Sequence, residues 1–332
     1  MRILVTGASG MLGGAVARAL VARGDEVTVL QRRPASVEGV RERRGDVRDA
    51  AAVAAAVAGQ DAVVHLAAKV NVVGPWQEYA ATNVDGTRNV VVACRRHRVG
   101  RLVHVSSPSV AHAGHALVGV PAEPADPQRA RGPYARSKAM AERVALAAAD
   151  PGRLAVAVLR PHLVWGPGDT QLVARIVARA RRGRLPLLGH GAAMMDTTYV
   201  DNAAEAVVAA VDRAHVASGE PLVVSNGEPR MISEILAGMC AAAGVPRPQR
   251  RVPAGLAVAA GSVVEGAVAL RRRLGHDVES DPPITRFLAE QLSTAHWFDQ
   301  RRTRELLDWR PRVPLDEGFR RLAAWYAEHP DA

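Results

Sequence analysis

Two residues at helical spacing could move a proton. In Tyr134-Ala135-Arg136-Ser137-Lys138 a phenol and an ammonium stand four residues apart, so a helix presents both on one face. A free tyrosine titrates near 10, too high for ready proton exchange at neutral pH. A neighbouring cation stabilises the phenolate and lowers that value. Such a phenol can protonate a carbonyl oxygen while hydride arrives at the carbon, a service worth about 10²- to 10⁴-fold in rate. The chain has four tyrosines and only two lysines, Lys69 and Lys138, in 332 residues. Chance supplies a Tyr-x-x-x-Lys spacing in about 2 to 3% of such chains.

A hydroxyl to hold that carbonyl is offered by Val103-His104-Val105-Ser106-Ser107-Pro108-Ser109-Val110. The apolar run reads as a strand, and ligands gather at the carboxyl ends of parallel strands. Ser107 is the candidate and Ser106 the alternative in register, although a serine there can also simply cap the strand.

The hydride source is written in Thr6-Gly7-Ala8-Ser9-Gly10-Met11-Leu12-Gly13, between an apolar run at 3–6 and a helical pattern at 11–23. In that context Gly7 allows a tight turn, Gly10 lets a pyrophosphate approach and Gly13 lets helix and strand pack closely. The helix start then offers free N–H groups and partial positive charge to the phosphates. The second apolar run, 26–30, ends in Leu30-Gln31-Arg32-Arg33. A site for NAD wants an acid there; two arginines suit a 2′-phosphate, so the expected cofactor is NADP(H), held by Arg32 and Arg33. Asp46 of Gly45-Asp46-Val47 could touch the adenine or cap a turn.

The elements that must position these groups alternate. Strand patterns at 3–6, 26–30, 61–67, 101–106 and 154–160 are separated by helical patterns at 11–23, 50–58 (capped by Asp49), 83–98 and 134–149. Continuous apolar strands between helices mean a parallel sheet covered on both faces. The expected fold is α/β, a Rossmann-type doubly wound parallel sheet with a smaller, mostly helical C-terminal substrate lobe. The first domain is placed at 1–165 and the lobe at 166–332, with segment 197–225 returning to the main domain. In the lobe Asp201 is expected to cap a helix at 202–214, a strand to run over 222–225, and helices to cover 253–274 and 315–328.

Composition narrows the function. Hydrophobic residues make up 48% and charged residues 23%, enough for a large core. Net charge is +10 but arginines are scattered and aromatics are 4%, which leaves no base-stacking platform and argues against nucleic acid. Two isolated cysteines, Cys94 and Cys240, exclude a disulfide framework and a CxxC metal site and suit a reducing cytoplasm. No signal peptide is visible, and the apolar run at 252–264 is too short to span a bilayer. Helices 83–98 and 134–149 could form a homodimer seam. The apolar segment from 253 could instead touch a membrane surface or a pathway enzyme.

These motifs together resemble the extended short-chain dehydrogenase/reductase superfamily. The likeness runs from Thr6-Gly7 to Trp309-Arg310-Pro311, Leu315-Asp316-Glu317-Gly318 and Trp325-Tyr326. It also takes in Leu66-Ala67-Ala68, Asn83-Val84-Asp85-Gly86-Thr87, Arg160-Pro161 and Tyr199-Val200-Asp201-Asn202. The resemblance implies that Ser107, Tyr134 and Lys138 are catalytic and that Lys138 binds the nicotinamide ribose. Asn83 would support the proton relay, or else cap its helix. Gly7, Ser9, Gly10, Met11, Leu12, Gly13, Asp46, Val47, Ala67, Ala68, Lys69, Ser106, Pro161 and Leu163 would border the cofactor.

Within the superfamily the chain resembles the 3β-hydroxysteroid dehydrogenase branch, and in it the bacterial 2-alkyl-3-oxoalkanoate reductases of olefin and β-lactone biosynthesis. The segments that carry this are Ser107-Pro108-Ser109-Val110, Pro161-His162-Leu163-Val164-Trp165-Gly166-Pro167-Gly168-Asp169, Ser225-Asn226-Gly227-Glu228-Pro229 and residues 286–297. The implied reaction is NADPH-dependent reduction of a β-keto acid with a 2-alkyl chain. Ser109 and His162 are substrate candidates, His162 or an arginine for the carboxylate. Leu256, Val258, Val263, Val264 and Val268 are candidates for an alkyl cleft. The alternatives are a 3β-hydroxysteroid or sterol-carboxylate dehydrogenase, a nucleotide-sugar epimerase or dehydratase, and a non-catalytic NADP sensor. Pro108-Ser109 stands where a dehydratase wants Asp-Glu, Gln31 argues against a bound NAD, and a sensor has no need of the Tyr/Lys pair.

Overall fold

The computed structural model describes residues 1–70, 74–111, 114–273 and 285–330. From the N-terminus the chain forms β1 (Arg2–Thr6), α1 (Met11–Ala22), β2 (Glu26–Gln31), β3 (Arg41–Arg44), α2 (Ala50–Val57) and β4 (Ala62–His65). Then follow α3 (Trp76–Tyr79), a π-helical turn (Ala80–Asp85), α4 (Gly86–Arg96), β5 (Arg101–Val105), β6 (Leu117–Val120), α5 (Gly132–Leu146) and β7 (Ala155–Pro161). Local chemistry accounts for the boundaries. Asp49 accepts from the Ala51 and Ala52 N–H groups and starts α2. Pro133 sits in the first turn of α5. Gly24, at φ 90°, lets the chain leave α1.

The later chain gives β8 (Val164–Trp165), α6 (Val173–Arg181), β9 (Leu187–Leu188), β10 (Met194–Met195), β11 (Thr198–Tyr199), α7 (Val200–Asp212), β12 (Pro221–Val224), β13 (Arg230–Met231) and α8 (Ile232–Ala242). It closes with β14 (Arg251–Val252), α9 (Ala254–Arg273), α10 (Arg286–Ser293), β15 (His296–Phe298), α11 (Arg301–Leu307) and α12 (Leu315–Glu328).

Seven parallel strands make the main sheet in the order β12-β7-β5-β4-β1-β2-β3. This is the doubly wound arrangement. The chain switches direction between β1 and β4, and their carboxyl ends open the crevice. Alternate strand residues feed two cores. Ile3, Val5, Val29, Val103 and Leu159 pack with α1 and α7. Leu4, Leu30, Val63, Leu102, Val156 and Val158 pack with α2, α4 and α5. Residues after 165 return to the sheet as β12 and α7, whereas β6 leaves it for a small sheet ordered β13-β10-β15-β6.

Three local expectations are corrected. Asp201 is no cap: α7 begins at Val200 with Tyr199 at its N-cap, and Asp201 lies in the first turn, bonded to Arg321. Asn83 does not open a helix either, because the helical path begins at Trp76 and passes through the π turn. On α9, Leu256 and Val263 are 64% and 71% exposed. They point out of the fold and line no closed cleft, while Val258 packs on Leu188, Ala257 and Ala289. The helix expected over 253–274 is described over Ala254–Arg273, and residue 274 lies outside the described residues. No described helix is long and apolar enough to cross a membrane.

Candidate active site

Helix α5 turns one face toward the ends of β5 and β7, and Tyr134, Lys138 and Glu142 lie on it at four-residue steps. The Ser107 hydroxyl lies near the Tyr134 phenol and favours its ionised form. Ser107 Oγ is also 2.9 Å from Ser109 Oγ and accepts from the Ser109 N–H. Ser106, the alternative in register, has its hydroxyl sealed in the protein without a partner. Lys138, 4% exposed, donates to the Val105 carbonyl at 2.5 Å. Burial pulls its ammonium down to about 8, and Glu142 partly opposes that. Burial also holds the Tyr134 phenol above its ordinary value, with the Ser107 hydroxyl acting the other way. In the protein alone burial is the larger influence on the phenol, and the Lys138 ammonium is drawn to a strand carbonyl.

One helical step below Lys138, Glu142 and Arg160 form a buried two-pronged pair at 2.9 and 2.5 Å, and Arg160 also holds the Glu123 carbonyl at 2.6 Å. The pair cancels its own charge beside the lysine. The Lys138-x-x-x-Glu142 spacing was legible in the sequence but not singled out there.

Asn83 is buried in the π turn, a device found often at functional sites. Its Oδ1 accepts from the Lys69 N–H at 2.7 Å, and its Nδ2 donates to the Lys69 carbonyl and, at 2.9 Å, to Ser137 Oγ. Ser137 donates in turn to the Tyr134 carbonyl at 2.8 Å. Asn83 thus fastens the segment after β4 to the catalytic helix. The Lys69 ammonium itself is paired with Glu78 at 2.7 Å.

Beneath lies a hydrogen-bonded chain whose direction is fixed. The Ala67 N–H donates to Thr6 Oγ1, which donates to His65 Nδ1. Thr87 gives its proton to the Asn83 carbonyl at 2.6 Å, so His65 Nε2 must donate to Thr87 Oγ1 at 3.1 Å. The imidazole is neutral, with burial holding it near 3.

The glycine loop fits a dinucleotide. A Cβ on Gly7 would stand 2.8 Å from the Ala67 nitrogen, and one on Gly13 would stand 2.2 Å from the Gly7 carbonyl. Those two glycines are demanded by the chain's own backbone. A Cβ on Gly10 would meet only the Gly7 carbonyl, at 3.5 Å, so Gly10 keeps open the space a phosphate needs. Gly10 caps α1 without a side-chain bond, and the first turn carries no acid, leaving its N–H groups to an anion. Ser9 is exposed beside it, Met11 and Leu12 are half-buried, and Ala67, just after β4, packs against Gly7, with Ala68 half-buried next in the chain. At the tip of β2 the Gln31 amide is buried, and neither of its atoms has a hydrogen-bond partner among the described residues. Arg32 and Arg33 beside it are exposed and form no ion pair among the described residues.

Four further residues expected to border the cofactor have these surroundings. Asp46 is bound by the Arg48 N–H and guanidinium, a turn closure that holds its carboxyl below the usual range. Val47 is core, packed with Leu4, Leu30 and Val53. Pro161 is buried at the end of β7. Leu163 takes φ 42°, a strained setting for a branched side chain.

Residues 3–225 match the family model described as NAD dependent epimerase/dehydratase family. The chain belongs to that family. Its fold and its Tyr-x-x-x-Lys group make this epimerase/dehydratase-family member an extended short-chain dehydrogenase/reductase, an NAD(P)-dependent oxidoreductase. Among its relatives a 2-alkyl-3-oxoalkanoate reductase of Stenotrophomonas maltophilia is 44% identical over 332 residues, covering 98% of this chain and 99% of that one. A 3β-hydroxysteroid-dehydrogenase/decarboxylase isoform 2 of Arabidopsis thaliana is 32% identical over 86% of this chain and 52% of its own. Among solved structures, MoeE5 in complex with UDP-glucose and NAD superposes with a TM-score of 0.76 at 25% identity, covering 100% of both chains.

Proposed function

We propose that this protein reduces a 2-alkyl-3-oxoalkanoate to the 2-alkyl-3-hydroxyalkanoate with NADPH. The observation that carries the chemistry is the Ser107–Tyr134 hydroxyl pair at the end of β5, beside buried Lys138. The substrate class is supported by likeness along almost the whole length to a reductase of that name. The choice of NADPH is supported by the unpartnered Gln31 amide and the free Arg32 and Arg33. A neutral amide does not repel a 2′-phosphate as a carboxylate would, and two guanidiniums attract it.

When bound, the nicotinamide supplies the hydride. Ser107 hydrogen-bonds the keto oxygen and holds it toward Tyr134. Tyr134 gives its proton to that oxygen as negative charge grows there. Lys138 supplies the positive charge that stabilises the phenolate left behind. Asn83 keeps α5 and the segment after β4 in register. An open cleft of about 470 Å³ lies beside the start of α5, lined by Trp76, Pro127, Gln128, Pro133 and Arg136 among others. Such a product belongs ahead of β-lactone and olefin formation.

Because β-keto acids decarboxylate, the test runs in reverse. Nicotinamide absorbance is followed with a 2-alkyl-3-hydroxyalkanoate and NADP, with NAD and a 3β-hydroxysteroid in parallel. Turnover with acid and NADP is the expected result. Turnover with the steroid alone moves the substrate to the reading that the Arabidopsis relative favours. An equal rate with NAD removes the role of Arg32 and Arg33.

A further inference from the structure

The residue that ends the second strand of a doubly wound dinucleotide site is the one that meets the ribose 2′ position. Here it is Gln31, whose amide is neutral and tucked into the protein. A cation that reads a 2′-phosphate must therefore reach in from beside it. The two faces of β2 separate the candidates. Val27 and Val29 pack with α1, whose first turn offers its N–H groups to an anion, and Gln31 continues that face. Leu30 packs with α2 on the other face, and Arg32 follows it in alternation. The Arg32 guanidinium lies close enough to Asp46 to add to the effect of Arg48 in holding that carboxyl low. Arg32 thus leans away from the face that Gln31 carries. Arg33 is exposed, with no partner among the described residues.

Arg44 stands on the face of Gln31. The two residues are direct partners in the β2–β3 ladder, about one strand spacing of 4.8 Å apart, and paired residues of parallel strands point to the same side. The Gly45 N–H bonds the Gln31 carbonyl at 3.1 Å and locks the register at its end. The Arg44 side chain reaches past Gln31, and its Nη1 donates to the Arg32 carbonyl at 3.0 Å. Glu42, two residues back on the same face, holds Nε at 2.6 Å. The guanidinium is fixed from two sides, and Nη2 has no partner among the described residues. A fork already fixed loses little freedom when it grips a phosphate oxygen. Glu42 offsets part of its charge, but Arg32 and Arg33 form no ion pair among the described residues, so the tip of the two strands stays net positive.

We propose that Arg44, on the strand beside β2, selects NADPH by gripping its 2′-phosphate through the free edge of a guanidinium anchored at the Arg32 carbonyl. The inference rests on the NADPH reading above and adds to it a residue of β3. Arg32 and Arg33 supply the surrounding field. Arg44 escaped notice in the sequence because it is one of several charges in Arg41-Glu42-Arg43-Arg44, and only the ladder shows which of them ends beside Gln31.

The test measures binding rather than turnover. Calorimetry gives Kd for NADP and for NAD with the wild type, Arg44→Leu, Arg44→Lys and Arg32→Leu. The wild type should bind NADP more tightly. Arg44→Leu should weaken NADP about 10- to 100-fold, as loss of a charge-assisted bond does, and leave NAD within about 3-fold. Arg44→Lys keeps the charge but not the fork and should fall between. Arg32→Leu should weaken NADP by less than Arg44→Leu. Equal losses on NADP and NAD in Arg44→Leu would mean that the side chain only supports the strand ends, and this overturns the proposal. A greater loss of preference in Arg32→Leu than in Arg44→Leu overturns it too. A wild type that binds NAD as tightly as NADP shows that the NADPH reading itself has failed, and this inference falls with it.

Discussion

Replacing Lys138 by methionine should make the apoprotein more stable, and the gain should vanish as pH rises. Lys138 is 4% exposed, and burial takes its ammonium from 10.5 to about 8. At 1.36 kcal/mol for each tenfold change in proton affinity, holding it charged below pH 8 costs the folded state about 3 kcal/mol. Between those two values the unfolded lysine still binds its proton while the folded one has released it, so the wild type gains stability with rising pH. By about pH 9.5 roughly 2 kcal/mol of the cost is recovered. The bond to the Val105 carbonyl, lost in Lys138→Met, returns about 1 kcal/mol to the wild type. The variant should therefore be about 2 kcal/mol more stable near pH 7 and about equal near pH 9.5. Urea unfolding of both proteins at the two pH values reads the difference, and other titrating groups cancel between them. A gap that does not change with pH, or a variant less stable near pH 7, would refute the charge reasoning.

Further outcomes follow from neighbouring groups. Tyr134→Phe should lose about 10²- to 10⁴-fold in kcat while binding the reduced nicotinamide cofactor as before, which nucleotide fluorescence reports. Glu142→Gln leaves the Arg160 guanidinium buried without its counter-charge and should cost about 3 to 5 kcal/mol in urea unfolding; a Glu142→Leu, Arg160→Met double variant should recover most of that. Cys94 is buried with its thiol pushed up to about 12. A thiol reagent should leave it unlabelled in the native protein and label it once urea unfolds the chain.

The parallel sheet was legible because its strands are covered on both faces and so read as unbroken apolar runs. The catalytic pair was legible because four-residue spacing has one meaning on a helix. What the sequence left open depends on contacts distant in the chain. Ser106 and Ser107 are alike as letters; they part because Ser106 turns into the protein while Ser107 meets Tyr134 from a helix that starts 25 residues later. Asp46 was ambiguous because Arg48, two residues on, competes for it. The π turn at Asn83 has no composition signal, being one extra residue of helical path. Asp196, which binds His162, follows β10 34 residues on, Ser225, which binds Asp196, follows β12 63 residues on, and nothing local marks either. Leu256 and Val263 were cleft candidates on hydrophobicity alone, with a surface contact for their segment left open, and only packing against α10 decides which side of α9 faces out.

The polar layer under the catalytic helix shows how one charge is kept where it is needed. His65, His104, Lys138, Glu142 and Arg160 are all buried there. Glu142 and Arg160 neutralise each other through two hydrogen bonds. His104 is held well below its ordinary value by burial, by Lys138 and by His65. His65 is held neutral too, and the threonines on either side commit its single proton to Nε2. Both imidazoles therefore contribute polarity without charge, and the net positive charge of the layer falls on Lys138. A charged imidazole in either place would repel that ammonium, already lowered to about 8, and drive off its proton at neutral pH. Tyr134 would then face a neutral amine, and the phenolate formed by proton donation would have no adjacent cation. The direction of two threonine hydroxyls, Thr6 on β1 and Thr87 on α4, is in this sense part of the electrostatics of the phenol.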